Sequence, residues 1–228
     1  MGGQACVFYG AAEFSRDTDL VVLSESANLA CLQAALSELQ AERIAVPPFE
    51  PRYLDLGLAV HFRCRAQPAA GIRIDVMSKL RGVRPFNELW TRRHSIDVQG
   101  VIVDLLSLAD LVQAKKTQRD KDWPMLARLL EADFAAHGSA PGGERIDFWL
   151  RELRTPELLI RTAVAYPERC SSHLTQRPLL AAAIGGDEAA VRQALRAEED
   201  REREADRQYW APLKQELERL RREERRKS

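Results

Sequence analysis

Two aspartates one residue apart, Asp17 and Asp19, lead directly into the apolar run Leu20-Val21-Val22-Leu23, and a Gly2-Gly3 pair stands shortly before them. A strand sends alternate side chains to opposite faces, so residues 17 and 19 project from the same one. Two neighbouring carboxylates repel each other, and they are tolerated where a divalent or phosphate-bound cation lies between them. Paired glycines let backbone amides approach a phosphate with no Cβ in the way. The plainer alternative is a solvated acidic pair in the loop ahead of a strand, and the pair alone does not exclude it.

A third carboxylate stands in a similar setting. The segment Gly71-Ile72-Arg73-Ile74-Asp75-Val76-Met77 alternates in strand fashion, with Ile72, Ile74 and Val76 on one face and Arg73, Asp75 and Met77 on the other. Aspartate is depleted in strands, so Asp75 inside a β-branched run calls for a reason. A solvated edge strand would also accommodate it.

Gly2-Gly3, then Ser15-Arg16-Asp17-Thr18-Asp19 and the apolar strand that follows, resemble the signature of the DNA polymerase beta type nucleotidyltransferase superfamily. The likeness is greatest to the small stand-alone bacterial members, among them minimal nucleotidyltransferases and toxins of abortive-infection and toxin–antitoxin systems. It covers about residues 2–130, and Gly3 stands where many members have serine. The resemblance implies that Gly2, Gly3 and Ser15 cradle nucleotide phosphates and that Asp17, Asp19 and Asp75 bind two magnesium ions. The implied reaction moves a nucleoside monophosphate from a nucleotide triphosphate, ATP among the candidates, to an acceptor hydroxyl. That acceptor could be RNA, a protein or a small molecule, and a cognate antitoxin or other partner protein would fit the same systems. Leu108 to Lys116, followed by Arg119-Asp120-Lys121-Asp122, resembles the helix after the catalytic strands in these proteins, where a lysine faces the nucleotide. Lys115 and Lys116 are therefore the candidates for a triphosphate clamp; adjacent helix residues point about 100° apart, so one of the two would face the site. The alternative for this cluster is a set of cations at a helix C-terminus. The helix and first strand that usually precede the glycine turn are missing ahead of Gly2, so the sheet is expected to lack a strand beside the catalytic one. That opens a second reading, a catalytically weak relative acting as a binding or regulatory partner. A third reading, a nucleic-acid-binding module using Arg92-Arg93 and the tract from Arg221 to Lys227, is weakened by Glu223 and Glu224.

Composition sets the remaining bounds. The chain has 228 residues with 34 basic and 34 acidic side chains, so no global charge draws it to nucleic acid or to an anionic membrane. No apolar run approaches the ~20 residues of a membrane span, and no signal-peptide pattern opens the chain. Cys6, Cys31, Cys64 and Cys170 are far apart, and the four histidines form no cluster, which argues against zinc and gives no disulfide framework. The expectation is a cytoplasmic protein with no membrane partner.

The fold expected is α+β: a small mixed β-sheet nucleotidyltransferase core packed with helices over residues 1–137, then a mainly helical C-terminal region over 144–228 ending in a charged helix. Strands are expected near 18–23, 56–65 and 72–77, with a helix from Asn28 to Glu42 carrying Leu29, Leu32, Leu36 and Leu39 on one stripe. Pro47-Pro48 and Pro51 mark a loop. Ser107 and Asp110 form a capping pattern, residues 138–143 read as a flexible linker, and the charged tail reads as a solvated helix with only a short seam of Leu213, Leu217 and Leu220.

Overall fold

Alternation of apolar and polar residues builds the sheet. In the computed structural model, which describes residues 1–227, β1 (Asp17–Val21), β2 (Glu42–Arg43), β3 (Val60–Arg63) and β4 (Arg73–Met77) form one four-stranded sheet in the order β1-β4-β3-β2. β1 runs parallel to β4, and the other pairings are antiparallel. Val60, Phe62, Ile74 and Val76 face a core closed by Leu29 and Leu36 of α2 (Ser26–Glu38), with Leu32 and Leu39 packed at its margin. The leucine stripe thus lies on the sheet as its spacing requires.

Contacts divide the chain into two compact units. One holds residues 1–8, 12–114 and the stretch from 207 onward; the other holds 9–11 and 115–206. The expected division at the 138–143 linker differs from this: α7 (Gly143–Glu152) begins inside that segment, with Gly142 as its N-cap.

In the first unit, α1 (Gly2–Phe8) packs on β1, the edge strand of the sheet. Pro51 opens a short helix, α3 (Pro51–Leu56), where the sequence read as loop, because proline is well suited to a first helical position. After α4 (Phe86–Arg92) comes a hairpin of β5 (His94–Val98) and β6 (Val101–Leu105). Gln99 and Gly100 both take positive φ in its two-residue turn, the geometry that matches strand twist. Ser107 caps α5 (Leu108–Ala114) as its pattern predicts, accepting from the Asp110 amide at 3.2 Å. Arg92 and Arg93 are paired with Asp110 and Asp104.

The second unit is helical: α6 (Asp122–His137), α7, α8 (Pro156–Ala165), α9 (Pro167–His173), α10 (Leu180–Ile184) and the first part of α11 (Glu188–Lys227). Breaks fall at Pro156 and Pro167, as expected of proline. The α+β class read from the sequence is the class found. The charged tail, however, is not merely solvated: Leu220 is buried with Val46, Tyr53 and Leu58, flanked by Leu213 and Leu217. Leu220→Ala should therefore destabilise the protein by about 2–4 kcal/mol in urea denaturation, whereas Leu56→Ala, at a side chain 52% exposed, should leave it nearly unchanged.

Candidate functional site

Strand register brings the acidic residues together. Asp17 lies opposite Arg73 and Asp19 opposite Asp75 in the β1–β4 pair, and His61 of β3 lies opposite Asp75 on its other side. Register partners share a sheet face. Asp17, Asp19, Asp75, Arg73 and His61 therefore occupy one face, and the core residues Ile74, Val76, Val60 and Phe62 the other. Three carboxylates thus lie on one side of adjoining strands; the sequence reading further requires that they converge on a shared pair of divalent ions.

The electrostatics of that face centre on Asp75, only 9% exposed. Its Oδ1 accepts from Arg73 Nε at 2.7 Å and lies 2.8 Å from His61 Nδ1, and its Oδ2 accepts from Arg73 Nη2 at 2.9 Å. Burial alone would raise the Asp75 pKa, but His61 and Arg73 outweigh it and hold the carboxyl below its ordinary value. The reverse holds at Arg73, whose bond to Asp75 outweighs partial burial; Asp17 and Asp19 add to the same effect and favour its charged form. Arg73 is thus the counterion of Asp75, with Asp17 and Asp19 acting on it at longer range. In the sequence Arg73 is a secondary candidate on the same footing as Arg63 and Arg65, polar-facing arginines of neighbouring strands, and His61 lies in no pattern that gives it a role. The available signal was the spacing of Arg73 and Asp75, two apart on a strand and so on one face.

The glycine turn sits against the same carboxylates. The Gly3 amide donates to Asp19 Oδ2 at 3.4 Å, and a Cβ built on Gly2 would overlap that carboxylate. A Cβ on Gly3 would meet Ser15 Oγ, which itself donates to the Asp17 carbonyl at 3.0 Å. Gly2 takes φ +63°, a region that disfavours any side chain. Gly2→Ala should consequently lower stability by about 2 kcal/mol or more, from backbone strain plus displacement of Asp19. Gly10→Ala, at φ +74° with nothing near the new methyl, isolates the strain and should lose about 1 kcal/mol. Equal losses in thermal unfolding would remove the case for close packing at Asp19.

The donor chemistry of three carboxylates suits magnesium, but their placement does not form a cation site. Both oxygens of Asp75 are held by Arg73 and His61, and among the described residues no group of three His, Cys, Asp or Glu surrounds a common point. For Asp75 to join Asp17 and Asp19 as a ligand, the Arg73 guanidinium has to leave it.

Lys115 and Lys116 belong to the other compact unit and lie beyond the end of α5, not on it. Lys115 Nζ is 3.2 Å from Asp122 Oδ1, and Lys116 Nζ is 2.8 Å from Glu152 Oε2; both side chains are largely buried. The 115–121 segment folds around Asp122, 2% exposed, which also accepts from Thr117 Oγ1 at 2.6 Å and Arg119 Nε at 2.9 Å. Burial pushes Asp122 up, and Lys115, Thr117 and Arg119 more than offset it. The two lysines are thus engaged by carboxylates in their own unit. No sequence signal distinguished Asp122 as the hub, since its bonds depend on how the loop returns.

Comparison of the chain with protein-family models, with curated proteins and with solved structures finds no match. Among the described residues no helix is long and apolar enough to cross a membrane.

Proposed function

We propose that the first unit is a nucleotidyltransferase of the DNA polymerase beta type, transferring a nucleoside monophosphate from a nucleotide triphosphate to an acceptor hydroxyl. One observation carries the reading: Asp19 and Asp75 are side-by-side partners on one sheet face, with the Gly2-Gly3 turn packed on Asp19. A strand pair that presents carboxylates under a backbone turn free of side chains is the geometry that polyphosphate chemistry needs. Asp17, Asp19 and Asp75 would hold magnesium if the Arg73 guanidinium left Asp75, and the half-buried backbone of Gly2 and Gly3, with Ser15 beside it, would meet the phosphates. Arg73 keeps the Asp75 carboxylate paired before substrate arrives. The place of Lys115 and Lys116 as a triphosphate clamp has less support, because both ammonium groups already face carboxylates.

A second reading, a nucleotidyltransferase relative that binds or regulates without transfer, is favoured by the same Arg73–Asp75–His61 network. The two separate in one experiment. The full chain is incubated with magnesium, each α-labelled triphosphate in turn, and total cellular RNA and protein. Magnesium-dependent labelling of an acceptor supports transfer. No labelling, with a partner protein co-purifying in the absence of nucleotide, supports the second reading.

A further inference from the structure

A separate concentration of positive charge lies within the second unit. Trp123, Pro124 and Ala127 of α6, Arg154 and Pro156 at the α7–α8 junction, and one face of α11 line an open cavity of about 370 Å³. On α11 the lining residues Arg192, Arg196, Glu199 and Arg203 recur at the three- and four-residue spacings that keep side chains on one helix face.

Charge does not balance around this cavity. Asp120 and Glu199 are the acidic lining residues, and both are taken by Arg203, with Nη1 2.5 Å from Asp120 and Nη2 2.6 Å from Glu199. Arg192 turns to Glu157 and Glu188, which do not line the cavity. Arg196 forms no ion pair among the described residues. Arg154 is nine-tenths buried and lines the same cavity; its Nε has no hydrogen-bond partner. Its Nη1 shares Glu198 with Arg177, so one carboxylate serves two buried guanidiniums. Burial first, and then Arg177, push the Arg154 pKa down despite Glu198, Glu152 and Glu202, as expected of a cation with too little compensation.

We propose that this cavity binds a small phosphate-bearing anion through Arg154, Arg192 and Arg196. Guanidinium forks match pairs of phosphate oxygens, and an anion held there supplies the charge that Arg154 and Arg196 lack. The volume lies at the small end of the ~300–1,000 Å³ range of small-molecule sites. Arg154 and Arg203 stand 5.5 and 5.8 Å from the Trp123 ring centroid, so the ring is already engaged by cations and the phosphate groups, not a stacked base, are what the site reads.

The test is calorimetric titration of the full chain with inorganic triphosphate, in EDTA and without sulfate or phosphate buffer. EDTA removes divalent cations, so the result is independent of whether the acidic sheet face can be loaded. Saturable binding at one site is expected, weakened at least tenfold in Arg192→Gln/Arg196→Gln and kept within twofold in Arg219→Gln/Arg222→Gln, which removes the same charge elsewhere on α11. ATP binding in EDTA with the same dependence identifies a nucleotide as the source of the phosphates, and binding of triphosphate alone identifies an inorganic polyphosphate; both support the site. No saturation at millimolar triphosphate, or equal weakening in the two double variants, overturns it.

Discussion

Asp17→Asn combined with Asp19→Asn is expected to reduce labelling of an acceptor from α-labelled triphosphate to background, a loss of about a thousandfold or more, while the protein stays folded. Asparagine keeps the size of the side chain and an oxygen that can accept from the Gly3 amide, 3.4 Å from Asp19 in the native arrangement. It cannot supply the negative charge that a hard divalent cation selects. Charge stabilisation of several kcal/mol corresponds to roughly three decades of rate. Stability should change by only about 1 kcal/mol, because both positions are half-buried and the substitution removes their mutual repulsion. Arg73 retains its two bonds to Asp75 throughout. Thermal unfolding of the variant checks that loss of transfer is not loss of structure. Wild-type labelling that persists in the double variant would sink the transferase proposal.

The residues that decide this prediction are legible in the sequence, and their partners are not. Alternation at Val60, Phe62 and Cys64 and at Ile74 and Val76 gave the buried face of β3 and β4 directly, because a two-residue period has one physical interpretation once a core is present. It also put Asp75 and Arg73 together on the opposite face. Register was a different matter: that Asp75 lies between Asp19 and His61 follows from strand pairing across long stretches of chain, which no local pattern records. β2 was invisible for a related reason. Its two residues, Glu42 and Arg43, are charged and exposed, and they are strand only because β3 offers them a partner. The Leu213, Leu217 and Leu220 seam looked too short to matter, since a helix otherwise rich in charge shows its buried side only where Val46, Tyr53 and Leu58 meet it. Lys115 and Lys116 misled in the other direction. Clustered cations suggest a ligand, yet Lys116 is matched by Glu152, far along the chain on α7.

Long-range matching of that kind is strongest at Arg177, and the second large effect is expected there. Its side chain is 5% exposed, and its guanidinium donates to the carbonyls of Leu150 and Leu153 at 2.8 Å each and to Glu198 at 3.0 Å. Those carbonyls belong to the last turn and C-cap of α7, where helix geometry leaves oxygens without partners. Arg177→Met keeps the length and much of the volume of the side chain but removes every donor. Stranded buried acceptors cost about 1–3 kcal/mol each, and breaking a buried ion pair costs about 3–5 kcal/mol. Part of this is offset, because Arg154 then has Glu198 to itself and loses a like-charged neighbour. A net destabilisation of about 4 kcal/mol is expected, a large fraction of the ~5–15 kcal/mol that holds a typical domain folded. Adding Glu198→Gln distinguishes the two sources of that loss. If the cost lies in the carbonyls of α7, the double variant should be no more stable than Arg177→Met, since glutamine cannot restore their donors and Arg154 is then left buried without its anion. Arg177→Lys should fall between wild type and methionine, as an ammonium keeps the charge but cannot reach three acceptors in one plane. Urea denaturation followed by far-UV circular dichroism measures all three; an Arg177→Met protein within about 1 kcal/mol of wild type would mean that solvent reaches those carbonyls and that the guanidinium is not what closes the end of α7.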